Sequence, residues 1–330
     1  MSIIYRYSSN RKMELIILIT LVGYTGFVGS NICENMHIDK KYNSKNVIEA
    51  YGTNPDLLIY AGVRAEKFLA NQDEKLDFEV VKEAFNNIKK INPKKLVLIS
   101  TIDVYKNPNN VNEDSEIVTE KLHPYGLNRY KLEQWVKNEF DTLIVRLPGL
   151  YGKNIKKNFI YDYINIIPKL LNEKKYEEII YKNPFIKDYY IKDKNSFYRC
   201  KNLSLEEKKM LKKFFFNIGF SALNFTDSRG LFQFYNLKYL SKHIDLLLKN
   251  NVKLANLPTE PISIKELYQF VSNKTFENEF LSKDKIPYYN FKTKYTNILG
   301  GENGYIYDKR FILNDIKSFI KEYSNEDIYI

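Results

Sequence analysis

Tyr125 and Arg129 stand four residues apart in Pro124-Tyr125-Gly126-Leu127-Asn128-Arg129, a spacing that sets both side chains on one face of a helix. A phenol ionises near pH 10 in water, so acid/base work near neutrality requires a cation at its side. Arg129 carries that charge, although its planar fork does not place it where a lysine ammonium would sit. Upstream, the run Lys95-Leu96-Val97-Leu98-Ile99-Ser100-Thr101 ends in two hydroxyls, with Asp103 two residues beyond Thr101. Earlier still, Gly23, Gly26 and Gly29 follow the apolar run Leu15 to Val22 at once. The first glycine lets the chain turn, the second lets backbone approach a pyrophosphate, and the third lets a helix pack on a sheet. That helix would offer free N–H groups and a positive dipole end to phosphates.

These groups need strands and helices in alternation to meet. Leu15–Val22, Pro55–Gly62, Lys95–Thr101 and Thr142–Leu147 are short, largely apolar runs of the kind expected for buried parallel strands. Between them, Val80, Val81, Ala84, Phe85 and Ile88 follow a helical period that Pro93 closes, and Leu132, Trp135 and Val136 mark the helix that begins at Tyr125. The pattern predicts an α/β fold with a doubly wound parallel sheet, whose ligands bind at the carboxyl ends of the strands. Small residues at Ala61 and Gly62 leave room there for a ring or a ribose. The stretch Lys40-Lys41-Tyr42-Asn43-Ser44-Lys45-Asn46 holds no acid where one would bind an adenosine ribose, so the second strand is shortened or the contact differs. Ser44 and Lys45 suit a 2′-phosphate and lean toward NADP; a solvated loop is the other reading. The second half is less regular. It predicts helices and loops over Tyr161–Gly219, a strand at Leu231–Tyr235, another at Val252–Leu257, a capping box at Ser263-Ile264-Lys265-Glu266, and a closing amphipathic helix with Ile312, Ile316, Phe319 and Ile320.

Composition narrows the partners. The 330 residues carry a net charge of +11, but lysine is spread along the whole chain and no basic stretch with interleaved aromatics forms a nucleic-acid module. The expectation is no nucleic-acid partner and a basic surface suited to an anionic small molecule. Cys33 and Cys200 are the only cysteines, which fits a reducing cytoplasm rather than a disulfide framework. His37, His123 and His243 have no metal-ligand spacing and read as ordinary surface or core residues. Met1–Lys12 is a polar leader, and the apolar run behind it is about half a membrane span and continues into the glycine turn, so no membrane partner is expected.

Four stretches in this order resemble the extended short-chain dehydrogenase/reductase family, particularly its NAD-dependent epimerase/dehydratase branch acting on nucleotide sugars. They are the glycine turn, the hydroxyl strand end, the Tyr125 helix start, and Arg146-Leu147-Pro148-Gly149-Leu150-Tyr151-Gly152. The resemblance covers roughly residues 15 to 152, with weaker echoes at Phe232–Leu248 and Pro261–Val271. It implies a Rossmann-type domain over 1–160 plus 225–260 and a smaller, partly discontinuous substrate-binding domain over 161–224 plus 261–330. It also implies NAD or NADP, held by Gly23, Thr25, Gly26, Phe27, Val28, Gly29, Ser44, Lys45, Ala61, Gly62, Ser100, Tyr125, Arg129, Pro148, Gly149 and Leu150. Tyr125 would be the acid/base and Thr101 its hydroxyl partner, while Arg129 occupies the place of the family's lysine. Dehydratases of the family follow the threonine with an Asp-Glu pair; here those places hold Ile102 and Asp103, which favours 4-epimerisation, oxidation or ketone reduction and leaves Asp103 a substrate contact or a loop cap. The substituted lysine leaves a second reading open, a weakened NAD(P)-binding regulator or scaffold. The family's habit of pairing the tyrosine helix across a four-helix interface implies a homodimer as one possible state.

Overall fold

Leu57-Leu58-Ile59-Tyr60 is buried at every residue, as a strand must be when helices cover both faces of its sheet. A computed structural model describes residues 17–193 and 196–325. The leader Met1–Lys12, with Leu15 and Ile16 of the first apolar run, lies outside the described residues. Contacts divide the chain into two units, and each is taken by itself.

The first unit holds residues up to Ile155, Leu231–Ile262 and Pro287–Ile312. Its elements begin with β1 (Ile19–Val22), α1 (Phe27–Asn35), β2 (Lys40–Tyr42), β3 (Leu57–Tyr60), α2 (Lys67–Gln72), α3 (Glu74–Ile91), β4 (Lys95–Thr101), α4 (Pro124–Glu139), β5 (Thr142–Leu147) and β6 (Gly149–Tyr151). After the excursion into the second unit come β7 (Phe234–Asn236), α5 (Leu240–Lys249) and β8 (Leu254–Asn256). A six-stranded sheet runs in the order β8-β5-β4-β3-β1-β2, parallel throughout. Its direction of winding reverses between β1 and β3, which makes the crevice beyond those two strands the place where an open α/β sheet takes a ligand.

The two periodicities of the sequence account for the two layers. Leu21, Ile59, Val97 and Leu143 form one row across the sheet and pack on Ile32 of α1 and on Leu240, Ile244, Leu247 and Leu248 of α5. Their neighbours Val22, Tyr60, Leu98 and Ile144 face the other side, against Val81, Ala84, Ile88 and Ile91 of α3 and Leu132 and Val136 of α4. Asn92 ends α3 in the left-handed conformation, immediately ahead of Pro93.

Several expectations are revised. The second strand is indeed short, three residues at the sheet edge. Leu231–Tyr235 is two pieces, Leu231–Phe232 and β7, parted at Gln233, whose buried side chain donates to the Thr259 and Phe291 carbonyls and accepts from Phe291 N–H. The sequence division gave all of 261–330 to the second domain, yet residues 287–312 belong with the first unit. They are tied there by backbone bonds from Asn110 to Asn290, Lys292 to Val111 and Ile306 to Pro258.

The second unit holds 156–230, 263–286 and the chain from Leu313 onward. Where helices and loops were expected, it also contains a small antiparallel sheet of Leu170–Asn172, Phe197–Cys200 and Tyr190–Lys192. Tyrosine-rich segments are good strand formers when their rings can pack, and Tyr176 stacks on Tyr198 at 3.6 Å between centroids. Ser263 and Glu266 form the anticipated capping box at the start of Ile264–Ser272.

The opening turn of the first unit is closely packed. Gly23 has φ +96°, and a Cβ at Gly29 would lie 2.1 Å from the Gly23 carbonyl oxygen. Gly29→Ala must therefore push α1 off β1, and we expect it to lower stability by about 1–3 kcal/mol. Urea unfolding with an unchanged midpoint would show that the turn is looser than this.

Candidate active site

All the residues singled out for chemistry lie in the first unit, at or just past the carboxyl ends of β1 to β5. The glycine turn is pinned by Gly23 N–H donating to the Tyr42 carbonyl at the end of β2, at 2.7 Å. A Cβ at Gly23 would strike the Ala61 carbonyl at 2.5 Å, so β1 and β3 meet closely here. Gly26 differs: a Cβ there would approach only the Gly23 carbonyl, at 3.2 Å, and would otherwise fill open space. Gly26 is also the N-cap of α1, which has neither a side-chain cap nor an acid in its first turn. Thr25 is exposed and Phe27 and Val28 are partly buried along that end. An open cradle above an uncapped helix N-terminus fits a pyrophosphate.

The other predicted contacts surround this cradle in the sheet order. Ala61 and Gly62 follow β3, and Pro148, Gly149 and Leu150 follow β5. Ser44 and Lys45 are exposed in the turn after β2, where the Asn43 side chain accepts from Lys45 N–H and Asn46 accepts from Asn43 N–H. Ser100 is placed differently from its neighbour. It shares the parity of Leu96 and Leu98, is 8% exposed, and gives its hydroxyl to Glu133 of α4.

Thr101 ends β4 and Tyr125 opens α4, which brings the threonine hydroxyl close enough to the phenol to favour its ionised form. Three contacts fix that meeting. The Asp103 N–H donates to Thr101 Oγ1 at 3.1 Å, the Tyr125 N–H donates to Asn71 Oδ1 of α2 at 3.0 Å, and His123 caps α4 by accepting from Gly126 N–H at 3.0 Å. The His123 ring stacks beside that of Tyr125. Burial pushes the Tyr125 phenol above its ordinary value; Arg129 opposes the rise, Asp103 adds to it, and Lys67 and Thr101 oppose it further. Burial, and then the charge of Lys67, lower the His123 pKa, which keeps that ring neutral near pH 7.

Arg129 lies over the Tyr125 ring, with 4.0 Å between the guanidinium carbon and the ring centroid. Its donors go elsewhere: one nitrogen bonds the Asp77 carboxylate of α3, and another bonds the Arg64 carbonyl at 2.6 Å. Asp77 also accepts from Asn128 at 2.9 Å. Asp103 is held by the Lys67 ammonium at 2.7 Å and by the Tyr289 hydroxyl at 3.2 Å.

The sequence reading therefore left out Lys67, Asn71, Asp77 and Tyr289, and treated His123 as ordinary. Only His123 had a usable signal, a polar side chain directly before a proline at a helix start. The others come from chain segments whose own patterns say nothing of Tyr125. Among the described residues no cluster of His, Cys, Asp or Glu could hold a metal ion, and no helix is long and apolar enough to cross a membrane.

Removing Arg129 leaves the buried Asp77 carboxylate without its charge partner. Arg129→Met should cost about 3–5 kcal/mol in urea unfolding, and adding Asp77→Leu should restore most of that loss. A single variant as stable as the native chain would mean that the pair holds nothing in place.

No family model and no curated protein sequence matches the chain. Solved structures do. A dTDP-4-dehydrorhamnose reductase from Bacillus anthracis, in complex with NADP, aligns with TM-score 0.58 at 16% identity, over 92% of this chain and 98% of that one. A UDP-glucose 4-epimerase from Thermotoga maritima, with UDP-glucose, gives 0.59 at 11% identity over 93% and 99%. The enzyme WbmG from Bordetella bronchiseptica, in complex with NAD and UDP, gives 0.60 at 14% identity over 95% and 96%. At such identities the likeness speaks for the backbone arrangement, and by that arrangement the chain has the fold of the extended short-chain dehydrogenases/reductases.

Proposed function

We propose that the chain is a cytoplasmic NAD(P)-dependent 4-epimerase or 4-keto-reductase of a nucleotide-activated sugar. The observation that carries this reading is the placement of Thr101 at the end of β4 and Tyr125 at the start of α4, at the same sheet edge as an open glycine cradle on an uncapped helix. Gly23, Gly26 and the first turn of α1 would hold the cofactor pyrophosphate, and Ala61, Gly62, Pro148, Gly149 and Leu150 would flank the rest. The bound nicotinamide would supply or accept the hydride. Ser44 and Lys45, in a turn that lacks an acid, favour a 2′-phosphate and hence NADP. The solved relatives with NADP, NAD and UDP-sugars support the same assignment by analogy of fold.

Tyr125 then gives its proton to the sugar carbonyl oxygen during reduction or takes it from the carbinol during oxidation, and Thr101 orients that oxygen through a second hydrogen bond. Burial favours the neutral phenol, the form required of a proton donor, while the flanking cations limit the cost of the phenolate left behind. Ile102 is buried and brings no carboxyl to the place where the related dehydratases carry one, so water loss is the less suited reaction. The engagement of Arg129 with Asp77 and the Arg64 carbonyl favours one other reading, a cofactor-binding regulator without turnover.

Mass spectrometry of the copurifying nucleotide and sugar should name the cofactor and the base of the activated sugar. With that substrate, Tyr125→Phe should lower turnover by about 10²–10⁴-fold while cofactor affinity is kept. Undiminished turnover in that variant would remove the acid/base role. Tight cofactor binding with no hydride exchange in the native chain would favour the regulator.

A further inference from the structure

Lys67 is absent from every motif described above, yet its ammonium lies at the centre of the site. It donates to Asp103 Oδ1 at 2.7 Å and lies 3.4 Å from the Tyr289 hydroxyl, which itself donates to the same carboxylate oxygen. Four residues on, and so on the same face of α2, Asn71 accepts the Tyr125 N–H. Asp103 in turn borders the tyrosine's neighbours: its N–H bonds Thr101, and its carbonyl lies under Gly126, where a Cβ would come within 2.1 Å. The helix that carries Lys67 and the turn that carries Asp103 thus both close on Tyr125.

We propose that Lys67 is a positioning residue for Tyr125: held by Asp103 and Tyr289, its ammonium supplies, from a separate helix, the adjustable share of the positive charge that supports the phenolate. The proposal rests on the reading of Tyr125 as the acid/base. Arg129 supplies the fixed share. Its guanidinium is 5% exposed, stacked on the ring face and neutralised by Asp77 in a buried pair that has nowhere to move. Lys67 is different in kind. Its side chain keeps 39% of its exposure, and its counterion is a single carboxylate at the strand end where ligands bind. A group that draws Asp103 away leaves the ammonium unopposed and eases ionisation of the phenol; a tight Lys67–Asp103 pair does the reverse. One lysine one turn beyond the tyrosine cannot separate these effects, because it has to meet ligand and phenol together. Here they are divided between two helices.

The sign of each substitution follows from the charges that face the ring: Arg129 from its own helix, Asp103 and Lys67 from the strand end and α2, His123 from the cap, and Tyr289 beyond Asp103. His123 stays neutral through an alkaline titration and does not contribute to it.

The full chain, without ligand and labelled with ¹³Cζ-tyrosine, provides the test. The signal lost in Tyr125→Phe identifies that phenol, and the one lost in Tyr289→Phe identifies its neighbour. Asp103→Asn, which leaves Lys67 unopposed, should lower the Tyr125 midpoint by about one pH unit, a tenfold rise in phenolate at a given pH. Adding Lys67→Met to Asp103→Asn should reverse that shift, and Lys67→Arg in the same background should keep it. The proposal falls if Asp103→Asn leaves the midpoint in place, or if Lys67→Met fails to raise it in the Asp103→Asn background. Should Lys67→Met not fold, Lys67→Gln gives the same reading with a side chain that can still bond. These midpoints are independent of turnover, so a fully active Tyr125→Phe enzyme would sink the acid/base reading while leaving this coupling measurable.

Discussion

A Cβ atom at Gly126 would lie 2.1 Å from the Asp103 carbonyl oxygen, so α4 can reach the end of β4 only because that position carries no side chain. The contact sets the distance between strand end and helix start, and with it the meeting of Thr101 and Tyr125. It also explains why the tyrosine is buried while lying at the rim of a sheet. The same closeness at Gly23 and Gly29 joins β1, β3 and α1, so backbone-to-backbone contacts build both halves of the site.

Buried charge keeps α4 in register over the sheet. Glu133, fully buried, takes Arg146 of β5 on both carboxylate oxygens and the Ser100 hydroxyl of β4, and Arg146 passes on to the Tyr105 hydroxyl at 2.8 Å. One turn nearer the tyrosine, Arg129 ties the same helix to Asp77 of α3. Such pairs add little net stability over well-packed apolar groups, but a shift of the helix by one residue would strand every one of these charges. Their contribution is to orientation: they fix which face of α4, and therefore which rotation of Tyr125, meets the end of β4.

The solved structures that share this backbone include a reductase and an epimerase of nucleotide sugars. The differences must reside in side chains at the strand ends and on the helices beside them, where this chain carries Ile102, Asp103 and Lys67. The parallel sheet places the carboxyl ends of all six strands at one edge, above the two apolar layers.

Much of this was already legible in the chain. Apolar runs at Leu57–Tyr60, Lys95–Thr101 and Thr142–Leu147, alternating with helical periods, determine a doubly wound sheet because strands so uniformly apolar need cover on both faces. The glycine spacing marks the cradle, since only absent side chains allow that approach. The sequence did not disclose that Ser100 turns from the rim to Glu133, that residues 287–312 return to the first unit, or that Arg129 is taken up by Asp77. Nor did it indicate Lys67 and Tyr289 at Asp103, 36 and 186 positions away. Periodicity and motif spacing are local properties of the chain, whereas the partner of a polar side chain depends on which distant segment the fold brings within 3 Å; that choice belongs to the tertiary structure alone.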